Sequence, residues 1–139
     1  ETKISYFSLR GLLLPDCMLA LSPKTRTLLL LADGPKVLVE EQLSVNEYHV
    51  LLPILESFPH YCPYEILLAH ISASIVTSIS IARCRQRLHE AQTRGIWEQE
   101  LRPIRRALSP LRNKLHNFDL EISNVRERGC SLTSLTFSQ

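Results

Sequence analysis

With 139 residues and 15.9 kDa, the chain has the length of one domain, enough to bury roughly two-thirds of its unfolded surface. Its 45% hydrophobic and 22% charged residues exclude a disordered polymer, and 4 Gly with 8 Pro exclude collagen-like or linker character. The net charge of +2 hides an asymmetry: residues 1–82 carry −3 and residues 83–139 carry +5, and a basic C-terminal half suggests an anionic partner.

Residues 4–9 (Ile-Ser-Tyr-Phe-Ser-Leu) are aromatic and β-branched and predict a strand. Leu12–Leu14 and Met18–Leu21 read as further strand pieces around the Pro15-Asp16 break. Arg26–Ala32 and Lys36–Glu40 flank Asp33-Gly34-Pro35, the pattern of a β-hairpin, because Gly tolerates positive φ at the turn. The first 42 residues are therefore expected to form a small antiparallel sheet.

Ser44-Val-Asn-Glu47 is a capping-box pattern, and Val50, Leu51, Ile54, Leu55 and Phe58 follow at helical spacing. A helix is predicted from 45 to about 57, ended before Pro59. A second, Pro63 to Ile71, starts on a proline whose missing N–H is no loss in the first turn. His70 lies on its inward stripe and reads as a core histidine. Ser72–Ser80, rich in Ser and β-branched residues, carries no clear signal. Ile81 to about Thr93 predicts a helix with Arg83, Arg85, Arg87 and Glu90 exposed, stopped at Arg94-Gly95. From Ile96 to Leu115 the residues Trp97, Leu101, Ile104, Leu108, Leu111 and Leu115 make one apolar stripe. Leu120, Ile122 and Leu132, Leu135, Phe137 then lie on either side of Arg126-Glu-Arg-Gly129, a β-hairpin with a basic tip.

Chemistry-bearing patterns are few. Cys17, Cys62, Cys84 and Cys130 form no Cys-x-x-Cys pair, so neither a disulfide framework nor a zinc knuckle is expected, and reduced thiols in a cytosolic protein are. His49, His60, His70, His89 and His116 have no zinc-binding spacing, and there is no Gly-x-Ser-x-Gly elbow or Gly-rich phosphate loop. No catalytic residue, metal or cofactor is expected, and the chain is read as a non-enzyme. The apolar stretch Ile66–Ala82 contains His70 and five hydroxyl residues and falls short of the ~20 apolar residues of a spanning helix. It reads as core, not membrane. Beginning on Glu1 and not on Met, the chain reads as a fragment or processed form with no visible signal peptide.

A short helix, a long Arg-rich helix and a basic hairpin, in that order, is the order of a winged helix. The segment Leu111-Arg112-Asn113-Lys114-Leu115, then Ile122, Val125, Arg126, Gly129 and Leu132, resembles the effector domain of the OmpR/PhoB family of bacterial transcription regulators, which includes response regulators and ToxR-like proteins. In that family a Leu-Arg-x-Lys-Leu helix end precedes an Ile-x-x-Val-Arg-x-x-Gly-x-x-Leu wing. Asp33-Gly34, Leu43-Ser44-x-x-Glu47-Tyr48-x-x-Leu51 and Glu65-Ile-Leu-Leu68 are similar to its hairpin and first two helices. The resemblance covers roughly residues 18–72 and 98–137. It departs at Pro103 and Pro110, expected respectively to mark the first turn and to kink the long helix. It departs again at Arg105, where the family has an acidic residue, and at Cys130, where it has an aromatic one.

The resemblance implies an α+β winged helix-turn-helix: an N-terminal antiparallel sheet over residues 1–42, then a three-helix core with a C-terminal β-hairpin wing over 43–137. An extra helical insert, 72–96, stands where the family has a short loop that contacts RNA polymerase, and all of it would be one domain. It further implies a cytoplasmic, nucleoid-associated regulator of a two-component system that binds double-stranded DNA and acts as a homodimer. Arg102, Arg105, Arg106, Ser109 and Asn113 would face the major groove, Arg112 and Lys114 the phosphates, and Arg126 and Arg128 the backbone or minor groove. The insert would meet RNA polymerase or another protein. The alternative reading is a winged-helix protein–protein interaction module that uses the inserted helix and the Trp97 region.

Overall fold

The computed structural model describes residues 3–73 and 75–135. The order is β1 (Ser5–Phe7), β2 (Cys17–Ser22), β3 (Thr27–Ala32), β4 (Lys36–Gln42), α1 (Val45–Ser57), β5 (Cys62–Pro63), α2 (Tyr64–Ser72), α3 (Ser78–Arg94), α4 (Trp97–His116), β6 (Leu120–Val125) and β7 (Gly129–Ser134). The class is α+β. A four-stranded antiparallel sheet, order β1-β2-β3-β4, precedes the helices, and a three-stranded sheet, order β5-β7-β6, joins the strand between α1 and α2 to the two strands that follow α4.

The β3–β4 hairpin turns where Asp33-Gly34 stands, with φ of 50° and 86°, the left-handed region Gly enters without a Cβ clash. Cross-strand rows sort the side chains by face. Phe7, Leu19, Leu30 and Val39 share one row, and Ser5, Leu21, Leu28 and Glu41 the next. Leu19, Leu21 and Leu28 are buried, so these rows form the inner face. The piece expected at Leu12–Leu14 is no strand. Its stretch is a turn in which the Leu12 N–H donates to the Leu9 carbonyl and only an isolated Arg10–Leu13 bridge forms, because Gly11 at φ 90° reverses the chain.

α1 matches its predicted bounds. The Glu47 N–H donates to Ser44 Oγ at 3.2 Å and the Ser44 N–H donates to Glu47 Oε1 at 2.7 Å, a complete capping box. α2 begins one residue later than predicted, with Pro63 as its N-cap. α3 is longer than expected at its start, because Thr77 and Ser80 form a second capping box within the segment that carried no clear signal. Its end is as read: Gly95 lies at φ 75° and the Ile96 N–H closes on the Ala91 carbonyl at 2.8 Å. Leu88 and Ala91 are buried, so α3, within the 72–96 segment, packs as a further helix on α2 and α4.

α4 runs unbroken through both prolines, and Pro103 stands in its second turn, not its first. Leu101, Ile104, Leu108, Leu111 and Leu115 are fully buried. Five such side chains contribute on the order of 10 kcal/mol gross, against about 3 kcal/mol for each unrelieved interior proline. Pro103 and Pro110 are exposed, so the carbonyls they leave unbonded, at Gln99 and Arg106, lie on the water side of the helix. The packing outweighs the prolines. The hairpin β6–β7 is as predicted as far as Ser134; Leu135, also assigned to it, falls just past the end of β7, and Phe137 lies outside the described residues. Among the described residues, no helix is long and apolar enough to cross a membrane.

Candidate nucleic-acid interface

Of the nine residues expected on an anionic partner, seven lie on α4, which divides them into two groups. Arg102, Arg106, Ser109 and Asn113 are exposed and recur at steps of four, three and four. That spacing is one stripe, opposite the buried one. Residues 101–118 contain no Asp or Glu. The acids of the first turn are occupied elsewhere: Glu98 by Arg105 and Glu100 by Arg87 at 2.8 Å. Arg102 and Arg106 form no ion pair among the described residues, so the stripe carries uncompensated positive charge.

The other three cations of the helix, Arg105, Arg112 and Lys114, are engaged by partners within the chain. Arg105 is half-buried. Its guanidinium donates to both Glu98 oxygens at 3.2 Å and to Tyr64 Oη at 3.3 Å, and lies 5.5 Å from the Tyr64 ring centre. The Glu98 carboxylate, with help from Tyr64, raises the Arg105 pKa above its usual value despite burial. Trp97 packs edge-on against the same Tyr64 ring, with centroids 6.1 Å apart. A position three residues after Arg102 falls toward the helix flank, where these partners wait.

Arg112 reaches sideways to the C-terminal hairpin. Its Nε donates to the Ile122 carbonyl at 3.1 Å and its Nη2 to Asn124 Oδ1 at 3.2 Å. Lys114 turns the other way. Its Nζ donates to the Gln42 carbonyl and to Glu47 Oε1, each at 2.7 Å, and Glu47 is only 3% exposed. One ammonium thus neutralises the capping-box carboxylate and joins the end of β4, the start of α1 and α4.

Arg126 and Arg128 are exposed in the turn between β6 and β7. The turn is held by the Arg128 N–H, which donates to the Val125 carbonyl at 2.9 Å. Behind it lies β5, a two-residue strand not anticipated from the sequence, which pairs Cys62 with Cys130 and Pro63 with Gly129. A Cβ on Gly129 would lie 1.9 Å from the Cys62 carbonyl oxygen, so only glycine lets β5 approach. Cys130 is fully buried. Burial pushes its thiol up to about 11 and that of Cys62 up to about 12. Neither is a nucleophile at neutral pH.

His70 is half-buried, and its Nδ1 lies 2.9 Å from the Ile66 carbonyl one turn back. Among the described residues, no group of three or more His, Cys, Asp or Glu could hold a metal ion.

No family model matches this chain. No curated protein and no solved structure matches it either.

Proposed function

We propose that the chain binds double-stranded DNA as a winged helix-turn-helix domain, with α4 as recognition helix and the β6–β7 hairpin as wing. One observation carries the reading: an acid-free stripe of Arg102, Arg106, Ser109 and Asn113 stands beside a hairpin that exposes Arg126 and Arg128, and Arg112 ties the two together. An α-helix fits the major groove. There Arg102 and Arg106 present bidentate donors suited to guanine or phosphate, and Asn113 an amide suited to adenine. Arg126 and Arg128 reach the adjacent backbone or minor groove. Arg105, Arg112 and Lys114 hold the frame. The activity is binding, not catalysis. A transcription regulator of a bacterial two-component system, cytoplasmic and associated with the nucleoid, is the role that the sequence resemblance supports.

Fluorescence anisotropy on random-sequence duplex DNA across a salt series tests this. Four free arginines on phosphates give a log–log slope of about −3.6, which is roughly a 150-fold loss of affinity between 50 and 200 mM salt. The double variant Arg126→Ala/Arg128→Ala should halve the slope, to about −1.8. No binding at 50 mM salt would refute the proposal. A second reading, a protein contact made by the 72–96 segment, is favoured by Ile75 and Ile79, exposed at 73% and 63%. RNA polymerase is the partner that the resemblance suggests for it. Trp97 has less to offer such a contact, since its ring is half-buried against Tyr64.

A further inference from the structure

The four-stranded sheet has a second face, and it is apolar too. Tyr6, Ala20, Leu29 and Glu40 share one cross-strand row, and Met18, Leu31 and Val37 share the next. Both rows alternate with the buried ones, so they point away from the helices. Between Leu30 and Leu31 the register shifts, and Leu38 is the residue left over. The bulge leaves Val37 and Leu38 exposed side by side, at 49% and 48%. Tyr6 is 56% exposed and Met18 38%, and Ile4, just before β1, is 43% exposed. Five of the large hydrophobic side chains left in water therefore lie on or beside this one sheet.

Exposures of this size, on side chains of roughly 150–200 Å² each, come to about 350–470 Å² of apolar surface. Two such faces give about 700–940 Å² from these side chains alone, and the half-buried Leu29 and Leu31 of the same rows bring the total toward the ~1,000 Å² at which specific interfaces begin. The face is also complementary to itself. A two-fold axis parallel to the strands lays β1 on the partner's β4 and β2 on the partner's β3. The row Tyr6–Ala20–Leu29–Glu40 then meets itself reversed. The Tyr6 hydroxyl meets the partner's Glu40, while Ala20, only 2% exposed within the single chain, adds no accessible surface of its own. Within one chain, the Glu40 side chain has no ion-pair partner among the described residues. The bulge at Leu38 interrupts the outer edge of β4, which disfavours edge-to-edge pairing and leaves face-to-face stacking as the contact.

We infer that this outer sheet face is the surface on which a second copy of the chain docks, as a two-fold dimer held by stacked sheets. The surface is separate from the α4 stripe and the hairpin tip, so the inference stands independently of DNA binding.

Sedimentation velocity from 1 to 200 μM on the whole chain, without DNA, provides the test. The expected result is a reversible monomer–dimer equilibrium in the micromolar range. Val37→Lys should weaken it at least 100-fold, and Ile79→Lys, on the other exposed apolar surface, should leave it unchanged. Tyr6→Phe removes only the hydroxyl. It should weaken the dimer at least tenfold while the circular dichroism and thermal melt stay at wild type, which separates lost docking from lost folding. A wild-type chain that stays monomeric at 200 μM overturns the inference. So does a dimer that Val37→Lys and Tyr6→Phe leave intact.

Discussion

Replacing Gly129 by alanine tests how tightly the base of the C-terminal hairpin is built. The new methyl would stand 1.9 Å from the Cys62 carbonyl oxygen, 2.7 Å from the Cys62 carbonyl carbon and 2.9 Å from the Pro63 Cα. All three are backbone atoms, so no side chain can swing aside. Non-bonded contacts settle near ~3.5 Å, so β5 must retreat by about 1.5 Å. A shift of that size breaks the bond from the Tyr64 N–H to the Arg128 carbonyl, which is 2.9 Å long. Overpacking costs about 1–3 kcal/mol and a buried backbone bond left unmade about the same, so the expected loss is about 3–5 kcal/mol. In urea, with a slope near ~2 kcal/mol/M, the midpoint falls by about 1.5–2.5 M. Gly95→Ala is the matched control. It meets open space at φ 75°, so only backbone strain of about 1–2 kcal/mol remains. If Gly129→Ala melts within about 0.5 kcal/mol of wild type, an ordinary surface effect, the close approach of β5 and β7 is wrong.

Other consequences can be measured separately. Lys114→Met strands the buried Glu47 carboxylate and should cost about 3 kcal/mol, most of it recovered in the double variant Lys114→Met/Glu47→Gln. All four thiols are buried, so Ellman's reagent at pH 8 should find none in the native chain and four after unfolding in urea. Burial, assisted by nearby His70 and Arg26, lowers the His49 pKa below 6.5. The unfolded chain then binds the proton more readily, so stability falls as pH drops through about 6.5, and His49→Gln should flatten that slope in pH-dependent melts. Arg102→Ala/Arg106→Ala should leave stability within about 0.5 kcal/mol while removing about two units of DNA salt slope. Arg105→Ala should do the reverse, lowering the melt and sparing the slope.

What could be read from the sequence depended on whether the signal was local. The Ser44–Glu47 box, the Gly95 stop and the Asp33-Gly34 turn are short-range rules, and each stands where it was read. The apolar stripe of α4 was equally plain. The fates of Arg105, Arg112 and Lys114 were not, because they hang on Tyr64, Asn124 and Glu47, which lie 41, 12 and 67 positions away in the chain. Helical spacing says which face an arginine leaves from, and it is silent about which carboxylate another element has brought near. β5 escaped notice for a related reason. Two residues carry no periodicity, and its only trace was a glycine at 129 whose need for space arises across the sheet. The start of α3 lay within a Ser-rich stretch whose hydroxyls signal a cap and a turn equally well.

Arg112 fixes the spacing between the hairpin and α4 through two bonds from a single guanidinium, one to backbone and one to side chain. A planar fork of this kind has little slack. On the proposed duplex the protein is therefore the rigid gauge and the nucleic acid the compliant member. The base steps between the helix and hairpin footprints must supply whatever bending the fit requires. Sites with easily deformed pyrimidine–purine steps there gain affinity at positions no side chain touches.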